Sequence, residues 1–162
     1  MFSKELTQLS QVLAKQCIKK KILLVTAESC TGGLLSATFT QVPGSSKWFD
    51  RGFVTYSNNS KIDSLGIRGE TLKNYGAVSQ AIANEMSAGA LKNSEANLSI
   101  SITGIAGPEG GLLDKPVGTV FFSVADQNRI ILEHKAIFSG SREVIRKESV
   151  LFVLNKLLIL TL

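Results

Sequence analysis

The chain has 162 residues, 44% of them hydrophobic and 19% charged, which is enough apolar material for one core of ordinary domain size and excludes a disordered chain. Eighteen Lys and Arg against thirteen Asp and Glu leave a net charge of +5, which suits an anionic small molecule as well as nucleic acid and does not choose between them. Two cysteines, Cys17 and Cys30, and a single histidine, His134, exclude a disulfide framework and argue against a structural zinc site.

A reduced, cytoplasmic protein is the expectation from so few cysteines. Met1 to Lys21 is charged and amphipathic, without the apolar stretch of a signal peptide. The apolar run from Val150 to Leu162 is interrupted by Asn155 and Lys156 and falls short of the roughly 20 residues a membrane span needs. It reads as the buried face of a last helix, and no membrane association is expected.

Phe2, Leu6, Leu9 and Leu13 recur at helical spacing, widened by Val12 and Ile18, and predict an amphipathic helix over 3–20. Lys19, Lys20 and Lys21 fall at its C-terminal end, where cations favour the helix dipole. Ile22 to Thr26 is a continuous, partly β-branched apolar run and predicts a buried strand. A Ser-Cys-Thr-Gly-Gly turn and a second apolar-periodic segment, Leu34 to Val42, complete a strand–turn–helix unit. Pro43, Gly44, Ser45 and Ser46 break the chain before a second strand, Trp48 to Tyr56, and a short helix starts near Ser57.

Gly66, Gly69 and Gly76 punctuate short helical pieces, and Ser79 reads as the N-cap of a helix through Leu91. Leu98, Ile100 and Ile102 alternate in a strand over 97–103, and a Gly-rich loop follows from Gly104 to Pro116. Two further strands, 118–125 and 129–138, are joined by Asp126-Gln127-Asn128, and Ser139 to Ser141 introduce a final helix. Helices alternating with strands, closed by one late hairpin, predict a single α/β domain over 1–162. Its architecture should be a three-layer α/β/α sandwich with a mixed β-sheet. Leu157 to Leu162 are more apolar than an exposed helix end needs, so they should pack in the core or form a homodimer interface.

Ala27-Glu28-Ser29-Cys30-Thr31-Gly32-Gly33 lies between a strand and a helix, where a serine can project from the sheet beside free backbone N–H groups. Gly32 and Gly33 would let a substrate approach the backbone. The plainer reading makes Ser29 and Thr31 competing N-caps. The segment is neither a G-x-S-x-G elbow, since Ala27 and Thr31 hold the glycine positions, nor a P-loop. A serine nucleophile needs a base. His134 lies in a strand of the late hairpin and is a weak candidate, which leaves a Ser–Lys pair with a desolvated lysine. Lys61, just after Tyr56, is the lysine best placed for partial burial. Cys30 is a rival nucleophile, although successive residues leaving a strand point in different directions. Four glycines in Gly104 to Gly111 suggest a backbone that hugs a ligand. Arg142 and Arg146 share a helix face and could bind a phosphate.

Several of these segments together carry a resemblance. Ala-Glu-Ser-Cys-Thr-Gly-Gly at 27–33, Arg-Gly-Phe-Val-Thr-Tyr-Ser-Asn from Arg51 with Lys61, Gly-Ala-Val-Ser at 76–79, and Ser-Ile-Thr-Gly-Ile-Ala-Gly-Pro from Ser101 with Lys-Pro-Val-Gly-Thr-Val from Lys115 resemble the CinA C-terminal domain family and its stand-alone nicotinamide-nucleotide amidohydrolases. The resemblance implies hydrolysis of the carboxamide of nicotinamide mononucleotide to nicotinate mononucleotide and ammonia, in pyridine-nucleotide salvage, with no cofactor, no metal and no nucleic-acid partner. It makes Ser29 the nucleophile, Lys61 its base and Tyr56 an aid to alignment. Cys30, Thr31, Gly32 and Gly33, with Thr103, Gly104 and Gly107, would line the substrate site, and Arg142, or by spacing Arg146, would take the phosphate. The alternative function is a catalytically inactive nucleotide-binding or accessory protein.

Overall fold

The computed structural model describes residues 3–162; Phe2, the first position of the N-terminal apolar stripe, lies outside the described residues. The elements in chain order are α1 (Lys4–Lys20), β1 (Leu24–Glu28), α2 (Leu34–Thr40), β2 (Phe49–Val54), α3 (Asn58–Leu65), α4 (Gly69–Tyr75), α5 (Gln80–Lys92), β3 (Leu98–Gly104), β4 (Thr119–Asp126), β5 (Ile130–Ile137) and α6 (Arg142–Leu160). Each follows an expected segment, with shifted ends. The first strand runs two residues further than its apolar run: Ile22 N–H still donates to Cys17 O at the end of α1, while Glu28 pairs with both Val54 and Ile102. Lys21, the last of the three lysines, closes α1 in the left-handed region at φ 55.

The five strands form one sheet in the order β2-β1-β3-β4-β5, with β1 parallel to β2 and β3, and β3-β4 and β4-β5 antiparallel. The sheet is therefore mixed. On one face Leu13, Leu35, Phe39, Val150 and Leu154 of α1, α2 and α6 pack with Leu24, Ile100, Ile102 and Phe122. On the other, Leu65, Ile82, Met86 and Ala90 of α3 and α5 pack with Val25 and Ala27. The two sets of strand residues alternate, as side chains on a pleated strand must. The result is the three-layer sandwich.

Strand β3 departs from simple alternation because both of its faces are covered. Ser99, Ser101 and Thr103 are as buried as Ile100 and Ile102. Helix α5 satisfies part of this polar face: Ser101 Oγ donates to Ala83 O at 2.6 Å, and Ser87 and Ser123 share a hydrogen bond of 2.9 Å. Gly89 lets α5 approach α3, since a Cβ there would lie 2.1 Å from Leu65 O.

At the C-terminus the apolar run divides. Leu157 and Thr161 are buried, and Thr161 Oγ1 makes hydrogen bonds to Gln16 Oε1 and Leu157 O, whereas Ile159, Leu160 and Leu162 are exposed. Among the described residues no helix is long and apolar enough to cross a membrane. From β1 the chain passes to β2 on one side and later returns to β3 on the other, so its connections diverge at the carboxyl end of β1. In open α/β sheets that divergence opens a crevice suited to ligands.

Candidate active site

Three strand ends meet at this crevice. Ser29 follows β1 directly, and its N–H donates to Ile102 O of β3 at 2.9 Å. Beyond β2, Thr55 N–H donates to Glu28 O at 2.9 Å, which holds the start of the next turn against β1. Ser57 then caps α3 reciprocally with Ser60, the capping-box arrangement, and so sets the orientation of the first turn, from which Lys61 projects.

Lys61 Nζ lies 3.0 Å from Ser29 Oγ and donates to Thr55 O at 2.7 Å. Lys61 has no exposed surface. Burial pulls its amine below the ordinary lysine range, because the charged form loses its water. Neither ion pair of the described residues, Arg51–Asp50 and Arg68–Glu85, involves it. The first turn of a helix is also where the dipole disfavours a cation. A neutral amine beside a hydroxyl is an acceptor for that hydroxyl's proton. Cys30, next along, is in the opposite condition: burial pushes its thiol up to about 12, so it carries a proton and is a poor nucleophile.

A cavity of about 280 Å³ opens on Ser29 and Lys61. Its walls are Cys30, Tyr56, Ala77, Val78 and Thr103, the loop residues Gly104, Ile105, Ala106, Gly107, Glu109 and Gly110, and Arg142. Arg142 reaches across the mouth, donating to Gly107 O at 2.9 Å and to Tyr56 Oη at 2.8 Å. Tyr56 is exposed and its hydroxyl meets Arg142, while Thr103 Oγ1 donates to Ala77 O at 2.8 Å and ties the loop of 76–79 to β3. Gly107 has φ 78, and a Cβ there would lie 2.5 Å from Val117 Cγ1, so the loop's close course depends on that glycine.

Of the residues singled out in the sequence, Ser29, Cys30, Tyr56, Lys61, Thr103, Gly104, Gly107 and Arg142 border the cavity, and Thr31, Gly32 and Gly33 do not. Those three shape the turn. Gly32 and Gly33 have φ of 57 and 92, Gly32 N–H donates to Ser29 O, and Thr31 Oγ1 and Gly33 N–H both donate to Glu28. Of the residues between Ser29 and α2, Cys30 is the one that borders the cavity. Neither Ser29 nor Thr31 caps α2, whose N-cap is Gly33 with no side-chain cap. Arg146, the other candidate for a phosphate, does not border the cavity; its Nη2 donates to Thr31 O at 2.8 Å. His134 lies on the far edge strand, its ring stacked on Phe152 at 4.6 Å, away from Ser29.

Sequence reading left Glu28, Ala77, Val78, Ile105 and Glu109 without individual roles. Ala77 and Val78 stood within a quoted motif, which was their available signal. In a larger groove of about 400 Å³ between α3 and α5, Glu85 accepts from Arg68 and from Thr71. Among the described residues no group of three or more His, Cys, Asp or Glu is placed to hold a metal ion.

The site thus places Ser29 and Lys61 in contact at the carboxyl ends of a mixed sheet. The chain belongs to the CinA C-terminal domain family, whose pattern matches residues 6–161. It is 44% identical over 157 residues, 97% of this chain and 95% of the relative, to the nicotinamide-nucleotide amidohydrolase PncC of Escherichia coli K12. It is 45% identical over 155 residues to the PncC of Enterobacter agglomerans, covering 96% and 94% of the two chains. A putative competence-damage inducible protein of Caldicellulosiruptor saccharolyticus is 47% identical over 154 residues, but the match spans 37% of that longer protein. Among solved structures, the competence/damage inducible protein CihA of Agrobacterium tumefaciens superposes with a TM-score of 0.95 at 40% identity, covering 100% and 99% of the chains.

The burial of Lys61 makes a stability prediction. Its folded-state amine binds a proton less readily than the unfolded one, so between the two titrations the unfolded chain holds more protons and stability rises with pH. Relative to Lys61→Met, wild type should gain stability as pH rises from 7 to 10, by at most about 1.4 kcal/mol per unit, the value for one proton. Urea midpoints at each pH measure this; parallel curves for the two proteins would rule out a depressed Lys61.

Proposed function

We propose that this protein hydrolyses the carboxamide of nicotinamide mononucleotide to nicotinate mononucleotide and ammonia, with Ser29 as nucleophile and Lys61 as general base. The observation that carries this reading is the 3.0 Å contact between a solvent-free Lys61 Nζ and Ser29 Oγ inside a cavity. Near-full-length similarity to proteins named nicotinamide-nucleotide amidohydrolase supplies the substrate.

An amide is a poor electrophile, so its hydrolysis needs an activated nucleophile and donors aimed at the developing oxyanion. One N–H of a neutral Lys61 stays on Thr55 O while its lone pair takes the Ser29 proton. Ser29 Oγ adds to the carboxamide carbon, and the N–H of Cys30, the turn residue beside Ser29 that borders the cavity, is the donor offered to the oxyanion. Lys61 returns the proton to the departing nitrogen, ammonia leaves, and nicotinate mononucleotide remains as an ester of Ser29. Water, deprotonated by Lys61, cleaves the ester and restores the serine. The polar mouth suits the nucleotide end, with Arg142 on the phosphate and Tyr56 steadying Arg142. Thr103, Gly104 and Gly107 form the wall along the substrate.

Pyridine-nucleotide salvage in the cytoplasm is the setting this reaction fits. We also propose a homodimer, because Ile159, Leu160 and Leu162 leave an apolar end exposed beside α1. Light scattering at micromolar concentration should give twice the chain mass, and a monomer would remove that assignment.

Ammonia release from nicotinamide mononucleotide tests the activity. Wild type and Cys30→Ala should release it, and Ser29→Ala should lose at least 10³-fold in rate, in keeping with removal of a nucleophile. An active Ser29→Ala excludes the mechanism, and a folded but silent wild type returns the weight to an inactive nucleotide-binding or accessory protein. Arg142→Ala should raise KM for the mononucleotide at least tenfold while leaving KM for nicotinamide riboside, which lacks the phosphate, within twofold. A phosphate-specific loss in Arg146→Ala instead would move the phosphate to that residue.

A further inference from the structure

We infer that Glu28 is a positioning residue for catalysis, a role that rests on Ser29 being the nucleophile. Glu28 directly precedes Ser29 and has no exposed surface. Every hydrogen-bond partner of its side chain is a donor. Oε2 accepts from Thr31 Oγ1 at 2.7 Å, Gly33 N at 3.1 Å and Leu35 N at 3.0 Å. Oε1 accepts from Ser36 N at 2.8 Å and Ser36 Oγ at 2.7 Å. Five donors and no neighbouring acceptor are what an acceptor-only carboxylate requires. No ion pair of the described residues includes it.

A buried carboxylate without a cation is an expensive way to satisfy the start of a helix. Serine, threonine or aspartate at the N-cap position does that work locally. Here Gly33 holds that position, and the amides of Leu35 and Ser36, the second and third residues of the seven-residue α2, are served from β1 instead. The consequence is geometric. Reaching over the turn of 29–33 from its strand side, the carboxylate ties β1 to α2 and holds the intervening residues by Thr31 and Gly33. Arg146 holds the same turn from α6 through Thr31 O. The backbone of Glu28 reaches the base as well, since its carbonyl accepts from Thr55 N–H and the Thr55 carbonyl accepts from Lys61 Nζ. One residue thus fixes both the serine and the carbonyl that orients the lysine.

Occupying Gly33 N–H also decides which amides remain for an oxyanion. With Gly33 on Glu28 and Gly32 on Ser29 O, the amide that faces the cavity is left to Cys30, next to the serine. A carboxylate that slackened its hold would leave the turn's amides free to turn elsewhere, and Ser29 would lose its fixed approach to Lys61.

The test compares three variants with wild type, using ammonia release from nicotinamide mononucleotide per folded molecule well below each melting temperature. Glu28→Gln keeps the shape but presents an NH2 group to donors, so kcat should fall at least 30-fold with KM within threefold. Thr31→Val and Ser36→Ala each remove one hydroxyl from the same carboxylate, on its turn side and its helix side respectively. Thr31→Val should lower kcat about tenfold and Ser36→Ala less than twofold, although Ser36→Ala loses the Thr26 Oγ1 hydrogen bond as well as the one to Glu28. Equal kcat effects in that pair, or a folded Glu28→Gln with lowered melting temperature and wild-type kcat, would reduce Glu28 to a stabilising residue and overturn the proposal. If Glu28→Gln does not fold, the pair alone decides. Wild-type turnover abolished by Ser29→Ala secures the underlying reading independently, whereas a silent wild type removes both.

Discussion

The candidate site depends on a lysine amine held inside the protein without an anion. Burying Lys61 removes the hydration that favours its charged form, and the two partners it receives are a serine hydroxyl and the Thr55 carbonyl. Neither compensates a full positive charge as a carboxylate would, so the amine holds its proton less tightly than an ordinary lysine. That shift suits the role of base proposed for it. It constrains the rest of the fold: the end of β1 must supply Ser29, the end of β2 the carbonyl, and α3 the lysine, in one rigid arrangement.

The sheet makes this arrangement possible. β1 lies between two parallel partners, so the carboxyl ends of β2, β1 and β3 lie side by side at one edge of the sheet. Ser29 N–H on Ile102 O and Thr55 N–H on Glu28 O extend the strand pairing one residue past the regular ladder, carrying the sheet's rigidity into the site. The serine-lined face of β3, closed by hydrogen bonds to α5, keeps the opposite layer in close contact.

The first two turns of α6 divide one helix face between two tasks. Arg142 spans the cavity mouth between Tyr56 and Gly107, and Arg146, one turn on, holds the turn bearing Ser29 through Thr31 O. Two arginines four residues apart thereby join the rim of the cavity to the nucleophile's backbone. Their spacing made them equivalent candidates for a phosphate; the position of the turn of 29–33 beneath the helix distinguishes them.

Much of the fold was legible in the sequence. The 3.6-residue stripe of α1, the apolar run of β1 and the alternation of Leu98, Ile100 and Ile102 are local consequences of which faces are buried, and local periodicity records them. Strand ends were less legible, because Glu28 enters β1 through pairing with Val54 and Ile102, neither of which is near it in sequence. Ser29 stood out because a small-residue turn between strand and helix leaves a local mark, and recurring motifs pointed to Lys61. The sequence by itself thus determined the layer architecture, the serine turn and the family. Only the tertiary structure brought Lys61 to within 3.0 Å of Ser29 across 32 positions, set His134 on the far edge strand, kept Thr31, Gly32 and Gly33 off the cavity wall and tied Thr31 and Gly33 to Glu28. The physical reason is that burial, desolvation and hydrogen-bond partnership belong to the assembled interior, where strands distant in the chain decide which groups water can reach.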